Sequence, residues 1–486
     1  MNTELLKLYP HDLWENFGNL CDAPHPSKHE EAALAWAKGW AKEHNIQVEQ
    51  DKTGNLLFTI PATKGMEDRT PVILQGHIDM VPQADSDKKH DFLKDPIEPI
   101  IDNGWVRANK TTLGADNGVG VCAAMACATT KGVKHGPLEI LVTVDEETGM
   151  TGAFGLKKGF VKGKILINLD SETEGELYVG CAGGLDANFE RKYTTVATPE
   201  DMKGFKFIVT GLHGGHSGMD INLGRANANK IAVRFLTKAI NDFDACIASI
   251  DGGGLRNAIP REATAILAVP AKKATAFKNF AKKFETMVKA EFSATEENLA
   301  ISVKAVDTPA KVIREKALRQ FLGMIFAIPN GVLRMSDSME NLVETSNNVA
   351  NFKAENGVMS AKCLLRSSVD SAKDALGDRM TAIAELAECG LELTGAYPGW
   401  KPNMESPIMN TCREVYKKKF KTEPKIMAIH AGLECGLFGA CYPDWDMVSF
   451  GPTIEHPHSP VERVNIESVG KFFDFLTEVL QNVPTK

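Results

Sequence analysis

Five short segments of the chain carry side chains that could do chemistry together. His77 and Asp79 follow the apolar run VILQG, and Asp116 sits in LGADNG. Asp145, Glu146 and Glu147 follow LEILVTV, Asp170 follows ILINL, and His456 and His458 lie in GPTIEHPHSP. One strand ending in Asp or Glu is commonplace, because these residues start loops and cap helices. A set of such ends is not, and imidazole with carboxylate suits zinc, and also manganese or cobalt. A catalytic zinc takes three protein ligands and keeps one position for water. His77, Asp116, Glu147, Asp170 and a late histidine make five, too many for one open site. They fit two sites if one carboxylate bridges, so that each cation has a histidine, a terminal carboxylate and the shared bridge. Two cations about 3.5–4 Å apart can hold a hydroxide and polarise a carbonyl at once.

Two neighbours refine this picture. Asp79 lies two residues beyond His77, on the same side of an extended chain. It can accept a hydrogen bond from the ring nitrogen that faces away from a metal, which fixes tautomer and orientation. Glu146 and Glu147 cannot both face one metal along a strand, so one is expected as ligand and the other as general base. Their order leaves both assignments open, and spacing alone leaves His456 and His458 as rivals.

The elements that must position these groups alternate. Residues 29–44 have helical spacing, and IQVEQDKTGNLLFTI reads as two strands about the Thr53-Gly54-Asn55 turn. Residues 71–77, 105–108, 138–144 and 164–169 read as apolar strands, and VGVCAAMACATTKG as a helix between the second and third. Continuous apolar strands separated by helices predict an α/β sheet covered on both faces, with its site beyond the carboxyl ends of the strands. Near Gly183-Gly184 the texture changes to shorter strands, such as FKFIVTGL, CIASI and TAILAV. Helices are expected at 224–240, 274–290, 311–327 and 371–388, in what reads as an inserted α+β domain, with helix–strand units enough for a doubled one but no sequence repeat that proves the doubling. After Gly399 the α/β texture resumes, with a strand at 447–452 and a closing helix at 466–483. The expected fold is thus α/β: a catalytic domain of residues 1–186 and 399–486, whose mixed sheet is flanked by helices, interrupted by an α+β lid domain at 187–398.

Composition narrows the partners. At 486 residues, two or three folding units are expected. The net charge is −8 with no Lys/Arg block, which argues against nucleic acid and anionic membrane surfaces. The N-terminus lacks the pattern of a signal peptide, and no apolar run approaches a membrane span. Ten cysteines without a CxxC pair read as buried thiols of a cytoplasmic protein.

The motifs GHIDMVP, TTLGADNGVG, DEETGM and NLDSE, in this order and spacing, resemble the co-catalytic zinc exopeptidases that include carnosinases, aminoacylases and succinyl-diaminopimelate desuccinylase. CDAPHPSKHEE, HDFLKDPIEP, YVGCAGG, LRNAIPRE, AYPGW, HAGLECGLF and GPTIEHPHSP are similar to its aminoacyl-histidine dipeptidase group. The resemblance covers essentially the whole chain. It implies His77 and Asp170 on one metal, Glu147 and His458 on the other, and Asp116 as the bridge, followed by a cis peptide. It implies Asp79 as the residue that orients His77, and Glu146 as general base. His216 of GLHGGHSG matches a lid histidine that stabilises the oxyanion. Asn257, Arg366 and Gly432 match positions that hold substrate, the arginine at its carboxylate. The implied cofactors are two divalent ions, zinc first and manganese or cobalt as substitutes. The implied function is hydrolysis of dipeptides with a preference for Xaa-His, carnosine-like substrates, in a homodimer. The alternative on the same two-metal site is an N-acyl amino acid deacylase. No ligand position is lost, which argues against a non-catalytic relative. The lid span is about twice that of the smaller relatives, in which the counterpart of His216 reaches the partner subunit's site, so its action within one chain or across two stays open.

Overall fold

The computed structural model describes residues 3–486. The chain divides into two compact units, one of Met1–Gly180, Pro402–Ala428 and Leu433–Lys486, the other of Cys181–Lys401 and Ile429–Gly432.

The first unit is built on an eight-stranded mixed sheet. Three of its central strands are Leu138–Thr143, Val72–His77 and Ile165–Asn168, buried at every residue. They run parallel to one another, and Asp446–Ser449 continues the parallel run beside Ile165–Asn168. Burial on both faces is why these strands read as continuous apolar segments rather than alternating ones. The hairpin Gln47–Gln50 and Leu56–Ile60 adds antiparallel strands at one side. Helices Ala115–Thr129 and Ile466–Asn482 bury apolar faces in the same core, with Trp14, Phe17 and Phe58.

The second unit has a nine-stranded antiparallel sheet made of two halves. In the first half, Met202–Thr210, Cys246–Gly253, Ala263–Pro270 and Ala300–Val306 follow along the chain and stand in space in the order 4-1-3-2. In the second, Gly183–Lys192, Val343–Glu355, Val358–Ser367 and Gly390–Tyr397 repeat that order. The first half is nested in the chain between the first two strands of the second. Residues Ile250–Gly253 pair with Asn351–Ala354 and join the two halves.

Helices Ala228–Phe243, Ala274–Glu291, Glu315–Ala327 and Asp370–Leu386 pack against this sheet. The last expected helix therefore begins a residue early, and the third is preceded by a short strand, Lys311–Ile313. The strand Val343–Glu355 escapes periodicity because it reads VETSNNVANFKAE and yet is almost wholly buried. Its asparagines bond instead to main-chain carbonyls: Asn347 Nδ2 to Pro329 at 2.6 Å, Asn348 Nδ2 to Ala258 at 2.8 Å.

Phe235 anchors this core. It is fully buried, stacks on Phe207 at 4.1 Å between centroids, and lies 5.2–5.7 Å from Phe277, Phe280 and Phe284. Phe235→Ala is expected to cost about 3–5 kcal/mol, because a cavity replaces a closely packed ring. Denaturant unfolding checks this, and a loss under about 1 kcal/mol would show that the cluster repacks.

Candidate active site

Parallel strands in register end together. His77 stands opposite Thr143, and Gln75 opposite Asn168. That places His77, the turn after Thr143 and Asp170 along one edge of the sheet. Asp116 joins them from the start of the helix Ala115–Thr129. This helix approaches closely because residue 76 is glycine: a Cβ there would lie 2.1 Å from Asn117 Oδ1. The peptide between Asp116 and Asn117 is cis.

Asp116 faces two histidines with its two oxygens. Oδ1 lies 3.3 Å from His77 Nε2, and Oδ2 lies 3.2 Å from His458 Nε2. Asp170 Oδ1 is also 3.3 Å from His77 Nε2, and Glu147 Oε2 is 3.0 Å from His458 Nε2. Two trios share Asp116, His77–Asp116–Asp170 and Asp116–Glu147–His458, and His77, Glu146 and Glu147 make a third, with ligand atoms within 4.8 Å of one another in each. His458, not His456, reaches the cluster. Both have left-handed backbones, with φ of 59° and 56°. Such conformations are uncommon outside glycine, and strain of this kind gathers at functional sites.

Glu147 Oε1 is buried and accepts no hydrogen bond, and buried Asp170 Oδ1 has only the approach of His77 Nε2 at 3.3 Å. Bare carboxylate oxygens are costly to bury, and a cation in each trio that shares Asp116 would satisfy them. Two imidazoles and three carboxylates are also a donor set that zinc, manganese or cobalt accepts, so these residues fit a pair of divalent cations. Hydrogen bonds to Asp116 and Glu147 push the pKa of His458 up to about 11. Burial pushes Asp170 up to about 7. Burial opposes protonation of His77, but Asp170 and then Asp116 hold it well above the usual histidine range.

Glu146 and Glu147 begin a short helical turn, Glu146–Gly149, rather than ending a strand. Successive residues of a helix diverge by about 100°, so the two carboxylates part by a different geometry from the one expected. Burial pushes Glu146 well above the usual carboxylate range. Asp79 meets His77 with main chain and side chain together. His77 Nδ1 lies 3.0 Å from the main-chain oxygen of Asp79 and 3.4 Å from its Oδ1. The Asp79 carboxylate accepts from Glu146 N at 3.0 Å, Glu147 N at 3.3 Å and Ser27 Oγ at 2.8 Å. Asp79 thus holds the ring of His77 and the turn that carries both glutamates.

The remaining predicted residues belong to the second unit. His216 Nδ1 accepts from the main-chain N–H of Gly218 at 3.2 Å and Met219 at 3.0 Å. An Nδ1 that accepts leaves the proton on Nε2. Burial lowers the pKa of this imidazole. Ser217 N donates to Asn257 O at 2.7 Å, and the Asn257 side chain is exposed. Arg366 is 5% exposed, and its Nη1 donates to Tyr397 Oη at 3.2 Å. Its Nε has no partner, so this buried guanidinium has donors to spare. The ring of Tyr397 also covers Gly432, where a Cβ would lie 3.1 Å from it. Beside them His430 bonds Ser346 Oγ at 2.7 Å, and burial followed by the charge of Arg366 pushes it down to about 3.

A family model described as Peptidase family M20/M25/M40 matches residues 73–482. The chain belongs to that family. Within it, the chain is 47% identical over 484 residues, with coverage of 100% on each side, to the cytosol non-specific dipeptidase of Escherichia coli strain K12. It superposes on the crystal structure of aminoacylhistidine dipeptidase from Vibrio alginolyticus with a TM-score of 0.94, at 46% identity, covering 100% of this chain and 99% of that one. An aminopeptidase of Bacillus cereus shares the fold at 16% identity, with a TM-score of 0.57 and coverage of 98% and 99%. Among the described residues no helix is long and apolar enough to cross a membrane.

Three glutamates near this cluster were not singled out by sequence. Glu462 is 2% exposed and accepts from the main-chain N–H groups of Leu113, Gly114, Ala115 and Asp116 at 2.7–3.3 Å. It fixes the loop that presents Asp116, and its place four residues after His458 was the only signal. Glu172, in NLDSE, faces Asp116 and Asp170; burial, then Asp116, pushes it up to about 9. Glu434, in HAGLECGLF, is fully buried, and burial pushes it up to about 8.

Proposed function

We propose that this chain is a metallo-dipeptidase that hydrolyses dipeptides, with a preference for Xaa-His substrates. The observation that carries the reading is the double-faced Asp116, whose two oxygens each address a different histidine. His77, Asp170 and Asp116 would hold one divalent cation, and Glu147, His458 and Asp116 the other, with zinc as the expected metal. Such a pair would act as Lewis acids on the scissile carbonyl and acidify the attacking water.

The protein's own groups do the rest. Glu146 takes the proton of the attacking water and delivers it to the leaving amine as the C–N bond breaks. His216 donates Nε2–H to the oxygen on which charge develops. Arg366 pairs with the carboxylate of the substrate's C-terminal residue, and Asn257 and Gly432 line the same substrate. Asp79 keeps His77 and Glu146 aimed.

Arg366→Met is expected to raise KM about 10- to 100-fold with little change in kcat, the equivalent of roughly 1.5–3 kcal/mol of charged hydrogen bonds. Steady-state kinetics checks this, and an unchanged KM would remove Arg366 from the substrate.

The two similar enzymes differ in breadth by name, one non-specific and one aminoacylhistidine. Elemental analysis, with hydrolysis of a panel of Xaa-His, Xaa-Ala and N-acetyl amino acids before and after chelation, tests the proposal. Two metals per chain and chelator-sensitive cleavage led by Xaa-His support it. Faster release of acetate from N-acetyl amino acids would make the chain a deacylase instead.

A further inference from the structure

A polar row crosses the floor of the first unit's sheet just before the edge that carries the site. Gln75, Asn168 and Ser449 stand opposite one another on three adjacent parallel strands, each fully buried. Gln75 Oε1 accepts from Asn168 Nδ2 at 2.6 Å. Asn168 Oδ1 accepts from Ser449 Oγ at 2.5 Å, and Ser449 Oγ lies 2.7 Å from Ser171 Oγ. At the other end stands Glu434, the first residue of the helix Glu434–Cys441. Its Oε2 accepts from Gln75 Nε2 at 2.6 Å and Thr143 Oγ1 at 2.8 Å.

Central parallel strands are normally apolar at such positions, because an incompletely paired polar group there is costly. Gln75, Asn168 and Thr143 are tied to the site by strand geometry. Gln75 lies two residues before His77 and Asn168 two before Asp170, on the same strand face as each. Thr143 ends the strand that leads into Glu146 and Glu147. The Gln75–Asn168 bond therefore links the strand ends that present His77 and Asp170, and Glu434 ties both to the strand that presents the glutamates.

We propose that Glu434 is a positioning residue of the active site: as an acceptor it locks Gln75 and Thr143, and through them the relative placement of His77, Asp170 and the Glu146–Glu147 turn. This rests on the reading of those residues as a metal site. Only Oε2 of Glu434 accepts a hydrogen bond, since Oε1 is buried and makes none. An amide can supply the same acceptor, so the role needs the oxygen rather than the charge.

The test compares Glu434→Gln with Glu434→Met, which keeps the length and removes the acceptor. Zinc affinity is measured by chelator competition, cobalt-loaded protein by its visible absorption, and activity by kcat and KM separately. Glu434→Met is expected to lose about 10- to 100-fold in metal affinity, the usual effect of removing an outer-shell partner. Its cobalt spectrum should shift, and kcat should fall more than KM changes. Glu434→Gln should stay within about threefold of wild type in all of these, well short of that outer-shell loss. Gln75→Met removes the same bond from the other side. It provides the reading if Glu434→Met does not fold, and the double variant should be no worse than the poorer single one. A folded Glu434→Met, or failing that Gln75→Met, with wild-type affinity and spectrum overturns the proposal. So does a Glu434→Gln variant as impaired as Glu434→Met. If wild type itself binds no metal, the metal-site reading fails first, and the positioning role falls with it.

Discussion

Glu146→Gln is expected to keep both metal ions and lose about 10²–10⁴-fold in kcat, the range that a positioned general base supplies. The amide is nearly isosteric but cannot take a proton from water. Glu146 stands outside both trios that share Asp116, although it also groups with His77 and Glu147, whereas Glu147, its neighbour, lies 3.0 Å from His458. Removing the charge of Glu146 should therefore leave metal content at the wild-type level, and KM should change little. Metal analysis alongside steady-state kinetics separates the outcomes. A variant that retains near-normal kcat would end the role of Glu146 as base. One that loses a metal would make it a ligand.

Asp116→Ala should do what Glu146→Gln does not, removing metal and activity together. Each oxygen of Asp116 belongs to a different trio, so its loss leaves each with only a histidine and one carboxylate. Affinity should fall by more than about 100-fold, beyond what loss of an outer-shell partner costs. The fold should persist, because Glu462 binds main-chain N–H groups of that loop rather than the Asp116 side chain. Calorimetric titration with zinc measures this. An Asp116→Ala chain that still binds two ions tightly would refute the shared bridge.

The candidate site was legible because its residues sit where strands stop. An apolar run followed by His or Asp marks both a buried strand and what leaves it, so His77, the Asp145–Glu147 triplet and Asp170 stand out. The same logic fails for groups inside the strands. Gln75, Thr143 and Asn168 look like interruptions of apolar runs until their partners across the sheet are known. Glu434 gives no sign of facing Gln75, 359 positions earlier in the chain. In the second unit, Val343–Glu355 hid as a strand because its buried asparagines find carbonyl partners only after other segments have arrived.

Local patterns alone carried the types and order of the metal-binding candidates and the buried parallel strands that end in them, because each follows from neighbours within a few residues. Tertiary structure decided which side chains meet. It brought His458 rather than His456 to Asp116, put Glu146 and Glu147 on a helical turn, and set Asp79 against that turn as well as His77. It also nested one half of the second unit's sheet inside the other. Those outcomes depend on hydrogen bonds and register between segments up to hundreds of residues apart, and no local pattern encodes such distances.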